Sequence, residues 1–172
     1  MKKALLILIV FIGCSPKKPN LKEITDIKKT ANTIVDNWHL AATEANYNNY
    51  FNAMDSLSVF IGTDASENWT KLQFQEFCKP YFNKGKAWSF KVLERNSYVN
   101  TTRNVVWFDE LLQTWMGTCR GSGVLEKVDN QWKIKQYVLS LTIPNNDIKA
   151  VMAATKKNDS IFLIDKLSST KK

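Results

Sequence analysis

Apolar residues recur at helical spacing from Ile24 through Ile27, Ala31, Ile34, Val35, Trp38 and Ala42 to Ala45, which predicts one long first helix. Asn20 with Glu23 three residues later supplies its start signal. A shorter stripe at Tyr47, Tyr50, Phe51 and Met54 predicts a second helix. Leu57-Ser58-Val59-Phe60-Ile61 then reads as a strand, stopped by Gly62 and the polar stretch 63–68. Thr70 with Gln73 opens a third helix whose face carries Phe74, Phe77, Cys78 and Tyr81, and Pro80 should end or bend it. Beyond this point the period changes to two. Trp88, Phe90 and Val92 alternate with more polar neighbours, Val105 to Phe108 is β-rich, and residues 123–128 and 131–138 flank Asp129-Asn130 as a hairpin. Helices first and a meander afterwards predict an α+β domain, with the helices on one face of a curved antiparallel sheet. A last helical pattern runs from Ile148 to Thr155. Ile161 to Ile164 is an apolar patch of open type, expected to cover an edge or the mouth of the fold.

The opening residues have a different character. Lys2 and Lys3 precede an unbroken apolar run from Ala4 to Ile12, followed by Gly13-Cys14. This run is too short to span a bilayer, which takes about 20 apolar residues, and it has the layout of a secretion signal. Phe11-Ile12-Gly13-Cys14 resembles the lipobox of bacterial lipoproteins. The resemblance implies cleavage before Cys14, a diacylglycerol on its sulfur and an acylated amino group, and several acyl chains hold far more firmly than one. Ser15 stands where an Asp would retain the protein at the inner membrane, which leans toward the outer membrane by resemblance only. The expected organisation is a signal peptide over 1–13, the lipidated Cys14 and a Pro-containing tether over 14–20, one domain over 21–156 and an extension over 157–172. The expected location is the cell envelope, outside the cytoplasm.

The charge of the whole chain is +8, and loss of Lys2 and Lys3 leaves 22 Lys plus Arg against 16 Asp plus Glu, or +6. Only three of the basic residues are Arg and the lysines are dispersed, so no nucleic-acid partner is expected. Lys17, Lys18, Lys171 and Lys172 lie in the tails, as solvated charge or against anionic headgroups. Cys78 and Cys119 are expected as buried thiols, although an oxidising compartment would let them pair. With one His and no paired Cys motif, neither a metal site nor a cofactor is expected. The acceptor motifs Asn68-Trp69-Thr70 and Asn100-Thr101-Thr102 are taken as chance in a bacterial sequence.

The order of elements is similar to the nuclear transport factor 2-like (NTF2-like) cone, and several stretches resemble its SnoaL-like branch. These are Phe60-Ile61-Gly62-Thr63-Asp64, Glu67-Asn68-Trp69, Trp107-Phe108-Asp109-Glu110, Arg120-Gly121-Ser122-Gly123-Val124-Leu125 and Trp132-Lys133-Ile134-Lys135-Gln136-Tyr137. The resemblance implies a bent sheet around the long first helix, with a cavity whose wide mouth takes a small apolar or aromatic ligand or a partner. Members of that superfamily include isomerases, cyclases, dehydratases and non-catalytic binders, so the fold leaves the role open.

His39, the single histidine, falls at the edge of the first helix's stripe, either as a general base or ligand contact or as a satisfied core residue. Asp109 and Glu110 point to opposite faces of a strand, so one of them faces the cavity unless a bulge intervenes. Asp109 is read as a proton shuttle, as in isomerase-type members, or as the ion-pair partner of Arg120. In the catalytic reading His39 or Asp109 is the base, and Tyr137 or Arg120 stabilises an oxyanion. Trp38, Asp64, Trp69, Trp107, Glu110 and Trp115 are the candidate ligand contacts, with Asp64 equally suited to a turn. Gly121 and Gly123 are expected to permit sheet curvature. The leading expectation is a membrane-tethered, non-catalytic binding module. The alternatives are an enzyme of the isomerase or cyclase type and a dimeric interaction module, the last requiring an exposed apolar patch near Trp132 and Tyr137.

Overall fold

A computed structural model of the chain describes residues 20–169. The leader, Cys14 and all of the tether before Asn20 lie outside the described residues, as do 170–172.

The first helix, α1 (Leu21–Thr43), starts where Asn20 Oδ1 accepts the backbone N–H of Glu23. It buries Ala31, Val35, Trp38, His39, Ala41 and Ala42, and its three alanines let the helix lie close to the layer beneath. The stripe predicted helix as far as Ala45. Ala45 instead takes a positive φ of 52°, which breaks the helix, and Asn46 caps the short α2 (Tyr47–Asn52). Met54, expected on α2, begins β1 (Met54–Ile61).

Strand β2 (Asn68–Thr70) is too short to show a period. Thr70 and Gln73 then form a full capping box on α3 (Lys71–Asn83). Pro80 does not end α3 at once; the helix runs on to Asn83 and closes at Gly85, whose φ is +68°. Strands β3 (Lys91–Val99), β4 (Val105–Thr114), β5 (Gly117–Val128) and β6 (Gln131–Leu141) follow. Trp88 and Phe90, read as strand from their alternation, lie in an irregular stretch ahead of β3. Asp129 and Asn130 both adopt positive φ, as the two-residue hairpin turn requires.

The six strands form one curved, unclosed sheet in the order β2-β1-β6-β5-β4-β3. It is mixed rather than wholly antiparallel, because β1 runs parallel to β6. Two strands so far apart in the chain leave no hairpin signal to be read. Inward residues of the sheet, among them Val106, Phe108, Leu112, Leu125, Ile134 and Leu139, pack with α1 and α3 into one core.

After a single 3-10 turn at 145–147, α4 runs unbroken over Ile148–Ser169 and so crosses the expected domain boundary at 156. None of its residues is buried, so it covers neither edge nor mouth among the described residues. Its apolar residues do not share a face: Ile148, Met152 and Leu163 fall on one side, while Leu167, Ile164 and Ile161 spread on around the helix.

Candidate functional site

Four elements bring polar side chains to one point in the core. From β4, Glu110 is fully buried, and its Oε1 accepts from His39 Nε2 of α1 at 2.8 Å and from the Tyr137 hydroxyl of β6 at 2.7 Å. Its Oε2 accepts from Arg95 Nε of β3 at 2.9 Å, with Arg95 Nη2 at ion-pair distance of 2.7 Å but without hydrogen-bond alignment. Arg95 Nη1 reaches back to α1, at 2.6 Å from Asp36 Oδ1 and 3.2 Å from the Asn32 carbonyl. Because a carboxylate only accepts, the ring hydrogen of His39 is placed on Nε2.

Burial works to raise the Glu110 pKa, but the His39 bond, the charges of His39 and Arg95 and the Tyr137 bond outweigh it and hold the carboxyl below its usual range. Burial, together with the Glu110 charge and bond, pushes the Tyr137 phenol well up. Glu110 therefore stays ionised and Tyr137 stays neutral.

This cluster unites three of the expected site residues, His39, Glu110 and Tyr137, and leaves others out. Asp109 and Arg120 sit on the outer face of the sheet, 3.8 Å apart, Arg120 exposed and Asp109 partly so, with Asn96 Nδ2 donating to Asp109 at 3.3 Å. His39 and Asp109 are thus on opposite sides of the sheet and cannot act on one substrate. Trp107 shares the outer face and stacks on Tyr98. Trp38 is a core residue, stacked on Tyr50 at 4.8 Å and edge-on to Tyr137 at 4.8 Å. Tyr137 is buried inside the sheet, so the apolar outer patch expected around it has no such anchor.

Arg95 is hidden from a regular strand alternation. Counting inward positions from Trp88, Phe90 and Val92 puts Arg95 on the outside. A bulge between Val92 and Glu94 adds one residue, flips the phase and turns Arg95 inward opposite Glu110. Asn32, Asp36 and His39 lie one turn apart along the flank of α1, and that polar spacing was the available clue.

Gly121 and Gly123 do more than permit curvature. A Cβ on Gly121 would lie 2.2 Å from the Tyr137 hydroxyl, and one on Gly123 would lie 2.7 Å from the Phe108 ring. Both Cys78 and Cys119 are buried and free, and burial pushes the Cys78 thiol far up. Among the described residues no group of His, Cys, Asp or Glu is arranged to hold a metal.

Open space lies elsewhere. A cleft of about 330 Å³ at one end of the sheet is walled by Phe60, Trp69, Phe77, Trp88, Trp115 and Met116. Its rings are layered: Trp69 and Phe77 are 4.5 Å apart at 26°, and Phe60 and Phe74 are 3.8 Å apart at 13°. Trp115, at the turn between β4 and β5, is 81 % exposed. Of the expected ligand contacts, Trp69 and Trp115 line this cleft. Asp64 is a turn residue beside it, accepting from Ser66 N and Ser66 Oγ, which hold its carboxyl below the usual range.

Phe60 and Phe90 stand in the cleft wall and also meet rings of the buried polar cluster. Phe60 lies 5.8 Å from Tyr137 and Phe90 lies 6.0 Å from His39, centroid to centroid. A second groove, of about 430 Å³, runs between α1 and α2 and is edged by Asn37, Glu44, Asn49 and Asn52. Its wall also carries Ile34, Leu40, Ala53 and Trp132, without the layered rings of the cleft.

A family model described as a SnoaL-like domain matches residues 31–144. Among solved structures, an NTF2-like protein of unknown function from Pseudomonas putida KT2440 aligns with a TM-score of 0.60 at 8 % identity, over 70 % of this chain and 90 % of that one. An NTF2-like protein from Cytophaga hutchinsonii ATCC 33406 aligns at 0.57 and 14 % identity, over 67 % and 98 %. A domain of unknown function with a cystatin-like fold from Nostoc punctiforme PCC 73102 aligns at 0.59 and 12 % identity, over 86 % and 98 %. At these identities the likeness is one of fold. No curated protein matches the sequence.

Proposed function

The chain belongs to the SnoaL-like domain family, and from that premise we propose that it is a small-ligand-binding module, tethered to a membrane through Cys14, whose ligand sits in the aromatic cleft. The family includes both binders and isomerase- or cyclase-type members. One observation supports binding over catalysis: the acid–base groups and the open space are in different places. Glu110 spends both oxygens on His39, Tyr137 and Arg95, and none of the four lines the cleft. The cleft has the aromatic wall and the size of a small-molecule site but no proton-transfer pair.

A neutral fluorescent guest such as N-phenyl-1-naphthylamine should bind, and Trp115→Ala should weaken it about fivefold or more, since losing one ring contact costs on the order of 1 kcal/mol. Trp107→Ala, on the outer face, should leave the titration unchanged. Equal losses from both variants would reject the cleft as the site.

The tether rests on the order of the first 14 residues. Metabolic labelling with radioactive palmitate should mark the protein, and Cys14→Ser should abolish the label and release the chain from the membrane fraction. Unchanged fractionation of Cys14→Ser would defeat the tether and leave the cleft untouched.

A further inference from the structure

The cleft's charge is the reverse of the chain's. The protein carries 24 Lys plus Arg against 16 Asp plus Glu, yet no basic side chain lines the cleft. Its one carboxylate is Glu67, half-buried on the rim beside Trp69.

The loop 62–67 is built to hold that carboxylate. Glu67 N–H donates to the Asp64 carbonyl at 2.9 Å, the Glu67 carbonyl accepts from Gly62 N–H at 2.9 Å, and Glu67 Oε2 accepts from Asp64 N–H at 3.2 Å. Glycine at 62 leaves room for this placement, since a Cβ there would overlap the Glu67 side chain where it now lies. Glu67 Oε1 has no hydrogen-bond partner among the described residues.

Aromatic faces attract cations through their quadrupole, and several rings with a fixed carboxylate at the rim make a cage for a cation whose surface is apolar. An anion would find no positive side chain in the cleft wall. A neutral guest would gain the rings but nothing from Glu67. We propose that the cleft selects a monocationic ligand, a quaternary or tertiary ammonium on a small apolar or aromatic body. This deepens the ligand-binding reading above and rests on it.

Three phenols of one shape test the proposal when titrated at pH 6 into the full-length chain by tryptophan fluorescence. They are 4-hydroxyphenyltrimethylammonium, its neutral isostere 4-tert-butylphenol, and anionic 4-hydroxybenzenesulfonate. The ammonium should bind about tenfold more tightly than 4-tert-butylphenol, and the sulfonate should bind most weakly. Glu67→Gln keeps the acceptor for Asp64 N–H. It should erase most of the ammonium's advantage, about fivefold, while leaving 4-tert-butylphenol within twofold and the melting temperature unchanged.

If 4-tert-butylphenol or the sulfonate binds as tightly as the ammonium, cation selection is overturned and the binding module stands. If Glu67→Gln weakens all three alike, Glu67 only shapes the loop, and the proposal is again overturned. Should none of the three bind, the cleft is not a ligand site and both readings fall together.

Discussion

Glu110→Ala is expected to cost about 3–5 kcal/mol of folding stability, measured by urea denaturation, because it breaks a buried ion pair from one side. The buried guanidinium of Arg95 would keep only the Asn32 carbonyl and Asp36, the latter itself largely exposed. The hydroxyl of Tyr137 and Nε2 of His39 would lose the acceptor they share. Glu110→Gln keeps the shape and an acceptor but removes the charge, so its cost should be smaller.

The same residue makes a pH prediction. A carboxyl held below its unfolded value contributes stability that is fully present above that value, about 4.3 for Glu, and is lost as pH falls through the folded one. Asp55, lowered first by the backbone bond from Leu57 and then by Lys135, adds to the same acid limb. Melting temperature should therefore fall below about pH 4 in the native protein and fall less steeply in Glu110→Gln. Parallel acid limbs in the two proteins would show that Glu110 is not linked to folding.

Gly121→Val is expected to rank next, at roughly 2–5 kcal/mol. Overpacking a filled interior costs about 1–3 kcal/mol, and a displaced buried hydrogen bond costs about as much again. The Tyr137 hydroxyl occupies the space a Cβ would need, and the Glu110 side chain lies 2.9 Å from the same point, so relief at one side tightens the other. Ser122→Val, next along β5 on the outer face, serves as the control for β-branching and should change stability by less than about 1 kcal/mol. Equal effects at 121 and 122 would mean that the strand backbone, not the Glu110–Tyr137 pair, sets the demand for glycine.

Local rules made the helices and hairpins legible. The stripe on α1, the capping box at Thr70 and the Asp129-Asn130 turn each depend on residues within a few positions of one another. The departures at the site involve phase or distance. The bulge in β3 inverts the inside–outside alternation and hides Arg95, and the one against β5 does the same along β6 between Ile134 and Tyr137. His39, Glu110 and Tyr137 were each picked out, but as groups facing a cavity. Their convergence on one another depends on strands brought side by side, and burial changes their role from reactive groups to a pin joining α1 to three strands. The aromatic load was read as one enclosed hollow. Trp38, Tyr50 and Tyr137 fill that interior, and the space left over opens at the rim instead.

The parallel seam between β1 and β6 also governs the order in which the molecule can assemble. A chain released from its N-terminus finishes α1, α2, β1 and α3 long before residues 131–141 emerge, and until then β1 has β2 on one flank and bare backbone on the other. Closing that gap joins partners 77 to 80 residues apart, an entropy-limited step that slows folding relative to local pairing. During that wait the unzipped flank of β1 is the place where a neighbouring nascent chain would pair wrongly.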